Sequence, residues 1–561
     1  MKKRHLLMIG FVFAFTLLYD LAQGQKKNRK NAAEIVYTYK NNGKEIKGRS
    51  LKVLYKDGIV AYLPFKEDEK ERRFVDYNNE VIIQKLATSQ GKYVLKKGFQ
   101  ELSQPELLND TDEILGYKCK KARFSIRSNN IEVWYTNDPA IKASPSQSLV
   151  AGLGLILKMV RNGNFETIAS DITFRKVNDE ELNYRLDDAI EVNDASYRRK
   201  QIDARYRTIE IFNREKINFG DDITNPNEVI DDVVYRYSKG TVVLKKIRLP
   251  KWTGQHVHAE VSAWSEGDAY DRTGSLFIIP TQSDTNFLQA FQDGIDRVPV
   301  FEDNQGKKYQ GVVATDDYLP PLELMRFFTS FGAGHFNSEV QIEGYPWADS
   351  IVYRQEITDV IAGAGEEVWI GAFIGNYAKN GHRLSLNLKY YPSFGQQDGK
   401  KTWVQPIFNT LNIMEMSGQS YGQMFLKDSL EVTVNIPEGL KNLQLRYIAT
   451  GHGGWGGGDE FNPKLNEIFV DNELVYSFIP WRNDCATFRL SNPASGNFGN
   501  GLSSSDLSRS NWCPGTATVP VNIPLNLPPG KHTFRIAIPM GAPEGSSASS
   551  WNVSGTLIGD L

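Results

Sequence analysis

Few side chains in this sequence could do chemistry, and the best of them are carboxylates. Of seven histidines, only His256 and His258, in "QHVHAE", stand close together. On a strand they would share one face. That is a fair spacing for metal ligands, but two ligands do not make a site, and ordinary surface or core histidines fit better. Three cysteines, Cys119, Cys485 and Cys513, cannot build a zinc ribbon or an iron–sulfur centre. There is no His-Glu-x-x-His. The glycine-rich run Gly453–Gly458 lacks the Lys-Ser/Thr of a phosphate loop and reads as a tight turn carrying His452, Trp455, Asp459 and Glu460. Two acidic clusters remain. "SEGDAYDR" holds Glu266, Asp268, Asp271 and Arg272 just before the apolar run "SLFIIP", and "GGGDEF" holds Asp459 and Glu460. Such carboxylates are usually solvated ion pairs worth little. Paired carboxylates near aromatic rings are also what sugar-processing sites need: one to handle protons, one to hold hydroxyls, and rings for the pyranose faces.

The elements that must position these residues read as strands. Leu384, Leu386, Leu388 and Tyr390 alternate with polar residues in "RLSLNLKYY", and the same period recurs at 431–436, 443–450 and 533–538. Helical periodicity is scarce; "LELMRFF" (322–328) is the best short helix, although a strand fits it too. The chain is therefore expected to be all-β. An N-terminal β-rich domain (25–177) precedes a charged linker or bridging helix (178–205). Two sandwich-like domains follow, at 206–395 and 396–561, with the boundary in the pattern-free stretch 393–402.

Length and composition agree. The 561 residues suffice for about three or four cores, and 40% hydrophobic with 24% charged residues excludes wholesale disorder. A net charge of −2 gives no electrostatic reason to expect nucleic acid or an anionic membrane as partner. Residues 1–24 read as a signal peptide: Lys2, Lys3 and Arg4, an apolar run from Leu6 to Leu18, then Ala22-Gln23-Gly24. An uncleaved anchor is the alternative. The expectation is a secreted or periplasmic chain, off the membrane after cleavage. Export permits disulfides. The odd cysteine count leaves one thiol free, and Cys485 and Cys513 are the nearer pair in sequence. Cys119 reads as a small buried residue.

Four segments in order then resemble the bacterial peptide:N-glycosidase F family, secreted amidases that release N-linked glycans. "AYDRTGSLFI" (269–278) is similar to the family's acidic-aromatic-Asp-Arg segment, and "ELMRFFTSFGAG" (323–334) to its Arg-Phe-x-Thr strand. "DEFNPKLNEIFVDN" (459–472) resembles the Glu-containing strand opening, and "SRSNWCPGTA" (508–517) the Arg-x-x-Trp-Cys-Pro-Gly segment. Upstream, "GYKCKKARF" (116–124) and "AGLGLILKM" (151–159) are similar to GLPGLI-type exported β-rich chains, which suggests a longer family type with an N-terminal appendage.

The resemblance implies two side-by-side eight-stranded jelly rolls with the site at their interface. It places Asp271 as the catalytic carboxylate working through a water and Glu460 as the second essential carboxylate, gripping the first GlcNAc. Arg272, Asp268, His452, Trp455, Asp459, Arg509 and Trp512 become substrate-binding candidates. It also pairs Cys485 with Cys513. Neither metal nor cofactor is expected, the chain is expected to be a monomer, and the implied partners are N-glycosylated proteins and peptides. The sequence departs from the family pattern at the third acidic position, which falls near Ile374. A family tryptophan is replaced near His452, with Trp455 able to take its role. Residues 281–320 look like an insertion. The alternative is a glycan-binding protein without catalysis. A glycosidase cutting between sugars is not excluded by spacing, whereas a copper monooxygenase would need more convergent histidines.

Overall fold

The computed structural model describes residues 31–65, 69–392, 401–415, 421–426, 428–453, 457–541 and 548–561. The leader at 1–24, Trp455 and most of the expected boundary at 393–402 lie outside them. The chain is all-β and divides into two compact units, 1–205 and 206–561. No described helix is long and apolar enough to cross a membrane.

The first unit is one twelve-stranded sheet. Its strands pair antiparallel with their neighbours, except that Ile190–Glu191 runs parallel to Gly91–Gly98. Ile35, Tyr37, Val53, Val60 and Leu157 form the core on one face; Cys119 lies among them, its thiol pushed up to about 11 by burial and by Asp112. The charged stretch 178–205 belongs to this unit. Asn178 and Glu181 form a reciprocal cap at the start of helix Asp179–Leu182, and helix Asp194–Asp203 follows. Leu182 and Tyr184 pack on Leu54, Phe74 and Ile83, while Tyr197 packs on Leu86 and Leu95. The apolar residues scattered among the charges are what hold this stretch to the sheet.

The second unit holds two β-sandwiches. In the first, a four-stranded sheet faces a six-stranded one; in the second, two four-stranded sheets face each other. Alternation is clear where one face is wet: His382–Tyr391 buries every second residue against the opposing sheet. The segment that fitted either a short helix or a strand, Leu322–Phe328, is a strand buried at all seven positions. Both its faces are covered, so the apolar run shows no alternation and imitates a helix. The stretch 281–320 contributes helix Phe287–Asp293 and the hairpin strands Val300–Glu302 and Lys308–Gln310. Its Tyr309, Val312 and Ala314 enter the core of the second sandwich, and its Phe287, Val298 and Tyr318 lie with Leu244 and Phe277 of the first.

A shared sheet edge and a buried ion pair also join the sandwiches. Ala517–Thr518, from the second half of the chain, pairs with Arg326 and Phe327 as the outermost strand of the first sandwich's larger sheet. Beside it, Glu323 and Arg326 are fully buried and paired. Arg326 Nε and Nη2 donate to the two Glu323 oxygens at 3.1 and 2.7 Å. Arg326 Nη1 donates to Thr450 Oγ1 at 3.0 Å and to the Asn552 carbonyl at 2.5 Å. Ser275 and Ser554 hydroxyls donate to the carboxylate, and Arg446 donates to the carbonyls of Glu323 and Leu324. Three positions apart on a strand, two residues normally face opposite ways. Here the register against Thr273–Ile279 skips Leu324, so Glu323 opposes Phe277 while Met325 opposes Leu276. That bulge brings Glu323 and Arg326 to one side.

Candidate active site

Asp271 sits in the turn entering strand Thr273–Ile279. Thr329 clips this turn on both sides: its hydroxyl donates to the Tyr270 carbonyl at 3.0 Å and accepts from Arg272 N at 2.7 Å, and its N–H donates to the Arg272 carbonyl. Asp268, buried one turn earlier, accepts Tyr270 N, Arg272 Nε and Arg272 Nη2. His382 lies 3.5 Å from the same carboxylate. Burial alone would raise the Asp268 carboxyl, but His382 and Arg272 overcome this and lower it to about 2. Asp268 is thus a fixed anion that braces the turn.

Glu460 comes from the second sandwich, in the turn after strand Lys441–His452. Its N–H reaches the Gly453 carbonyl and its own carbonyl accepts Ser510 N. Asp459, next to it, is fully buried. Its carboxylate accepts Trp551 Nε1 at 2.8 Å and Gly541 N at 2.9 Å, so it anchors the turn and faces away from any substrate.

Arg509 joins the two sandwiches at the site. Only 1% exposed, it donates Nε to Glu460 Oε1 at 3.0 Å and Nη2 to Asp271 Oδ2 at 3.4 Å. Nη1 is tied to the Ser504 carbonyl at 2.6 Å. Its guanidinium lies between the rings of Phe461 and Trp512, at 5.0 and 4.8 Å. Burial drives the Asp271 carboxyl up, Arg509 pulls it back and Glu460 pushes it higher, to about 7. Burial also raises Glu460, against the pull of Arg509. Two carboxylates sharing one buried cation hold a proton near neutral pH as a pair.

These three side chains line a cleft of about 390 Å³. The carboxylate side chains of Asp271 and Glu460 remain 16% and 20% exposed, which leaves their outer lone pairs open to it. Tyr270, Phe331, Phe461 and Phe498 add aromatic walls, and Ser504 a hydroxyl. Sequence reasoning named none of these five, although Tyr270 and Phe461 adjoin the two acids and Phe498 stands in the glycine-flanked "GNFGNG". Ser504 carried no signal.

Of the remaining candidates, Arg272 lies beside the cleft, held to Asp268 and flanked by the rings of Tyr270 and Tyr377 at 5.0 and 5.7 Å. Trp512 is beneath the site: 3% exposed, stacked on Phe328 at 4.3 Å, its Nε1 donated to the Gly451 carbonyl. It has no open face for a sugar and instead supports Arg509. His452 packs against the same two rings and bonds Thr450 Oγ1. Burial, then Arg326 and Arg509, lower it to about 3, so it stays neutral. Cys485 and Cys513 form a disulfide, closing the loop that carries Phe498, Ser504 and Arg509. Among the described residues the one group of three clustered metal-type ligands is Asp484 with these two bonded cysteines. His256 pairs with Glu356 on the outer face of the first sandwich. Ile374, where a third acid was sought, is a core residue.

Comparison with known proteins gives the family. Models of peptide-N-glycosidase F match at residues 208–390 for its N-terminal part and 420–558 for its C-terminal part, and a model of the N-glycanase peptide N-terminal domain matches at 35–199. A solved structure of PNGF-II, in space group P21, is 42% identical, with a TM-score of 0.87 over 94% of this chain and 99% of that one. The chain belongs to the peptide-N-glycosidase F family. A second PNGF-II structure, in space group C2, is likewise 42% identical, with a TM-score of 0.80 over 94% of this chain and 98% of that one. No curated protein matches. Within the family frame, the N-terminal unit matched at 35–199 includes most of the charged stretch that packs on the twelve-stranded sheet.

Proposed function

We propose that this chain is an exported amidase that hydrolyses the bond between an asparagine side chain and the first GlcNAc of an N-linked glycan. The observation that carries the reading is the convergence of Asp271 and Glu460, one from each sandwich, on the buried Arg509 in an aromatic cleft. Ionised Asp271 takes a proton from a water, whose oxygen adds to the amide carbon. Arg509 offsets the charge gathered by the pair and holds both carboxylates in place. The carbon–nitrogen bond then breaks and the proton passes to the leaving nitrogen. The products are aspartate on the peptide and a glycosylamine, which loses ammonia in solution. Glu460 accepts hydrogen bonds from the core GlcNAc, and the rings of Tyr270, Phe461 and Phe498 cover sugar faces. The tightly braced Arg272 orients substrate at the rim.

The test is mass spectrometry of a denatured glycoprotein incubated with the protein in oxygen-18 water. Loss of the whole glycan, with each occupied Asn becoming Asp and gaining heavy oxygen, is the expected result. A GlcNAc left on Asn would replace the reading with glycosidic cleavage. Glycan retained intact but bound to immobilised protein would replace it with a lectin.

A further inference from the structure

The N-terminal unit carries a second cleft, of about 330 Å³, far richer in cations than in anions. Among the described residues, Lys70, Arg72, Lys85, Lys92 and Arg185 line it against two carboxylates, Glu69 and Asp188. Asp188 is shared by Lys85 and Lys92, so a single anion serves two ammonium groups. Lys85 also donates to the Arg185 carbonyl and Lys70 to the Ala204 carbonyl at 3.0 Å. Arg72 uses Nη1 on the carbonyls of Glu69 and Glu71. These bonds to neutral oxygens fix the cations without neutralising them. Arg185 follows Asn183, which takes a left-handed conformation at the end of helix Asp179–Leu182 and turns the chain onto the cleft. A concave wall of fixed cations in excess focuses positive potential on whatever enters.

We propose that this cleft binds a carboxylate-bearing sugar, with Arg72 and Arg185 on its carboxylate. Guanidinium forks match a carboxylate in two-point geometry. Glu69 and Asp188 keep acceptor lone pairs beyond their present bonds, and Asn183 offers an amide; these suit sugar hydroxyls, and the two carboxylates repel a dianionic phosphate more strongly than a singly charged carboxylate. The volume suits one or two rings. The choice of a sugar over another carboxylate rests on the reading that glycoproteins are the substrate. The binding measurement does not, because it needs no turnover.

The full-length protein is titrated with free N-acetylneuraminic acid and, in parallel, with neutral N-acetylmannosamine and with inorganic phosphate. Binding is followed by ligand-observed NMR and calorimetry. Saturable binding of the acidic sugar alone is expected, weakening as salt rises. Arg72→Gln and Arg185→Gln should each reduce it by roughly tenfold, and Asp271→Asn should leave it unchanged. Arg185 is exposed, so its variant stays folded even if the partly buried Arg72 variant does not. The proposal is overturned by no binding of the acidic sugar, by equal binding of the neutral sugar or of phosphate, or by an undiminished Arg185→Gln.

Discussion

The second unit contains two clusters built from the same parts, arginine and carboxylate, and they behave oppositely. At Glu323 and Arg326 the carboxylate accepts from two serines and two guanidinium nitrogens, with no access to solvent. At Arg509 one guanidinium is divided between two carboxylates, each touching it through a single oxygen. The first cluster is saturated inside the protein and can only hold strands together. The second keeps unused lone pairs and an elevated proton affinity facing a cleft. Burial supplies the energy scale in both; what differs is whether the protein completes the hydrogen bonding or leaves it for a substrate.

The largest expected effect breaks the reactive cluster alone. Asp271→Asn should lower the rate of glycan release by about 10³-fold or more while the protein stays folded; residual activity near wild type would remove Asp271 from the mechanism. Arg326→Met breaks the saturated cluster and leaves Glu323 buried without its cation. It should destabilise the protein by about 3–5 kcal/mol in denaturant titration, and a neutral result would mean the pair is replaceable by packing. Arg509→Lys keeps a charge but not the fork. Its kcat should fall by about 10²-fold, with a smaller change in KM.

The pH dependence sharpens the comparison further. Asp271 must be ionised to accept a proton, so the rate should rise with pH through the neutral range in which the pair loses its proton. Stability runs the other way. A carboxyl raised in the folded state binds more protons than in the unfolded chain between about pH 4 and 7, so its contribution falls as pH rises through that window. Asp271→Asn should therefore be more stable than wild type at pH 8 by about 1 kcal/mol, and equal to it near pH 4. Unfolding curves at the two pH values check this.

How much of this was legible depended on where each residue sits. Strands with one wet face announced themselves, as at His382–Tyr391. Leu322–Phe328 did not, because full burial erases the alternation and the spacing of Glu323 and Arg326 suits a helix as well as a bulged strand. Asp271 and Glu460 stood out as carboxylates beside aromatic residues and in segments resembling a known family. The placement of Arg509 against them did not, since it lies 238 residues from Asp271 and 49 from Glu460 and only the closing of two sandwiches brings them together. Trp512 and Asp459 carried site-like chemistry but were spent on support, a distinction that burial decides and residue type does not.

The strand Ala517–Thr518 has a bearing on how such a protein could be taken apart or inherited. It completes a sheet whose other strands all lie between Val234 and Ile374. Expressing residues 206–395 alone would bare the backbone of Leu322–Phe328 as an open edge, an invitation to aggregate. Recombination that exchanged one sandwich for a foreign one would do the same. The two sandwiches therefore form a single module for both the engineer and the gene.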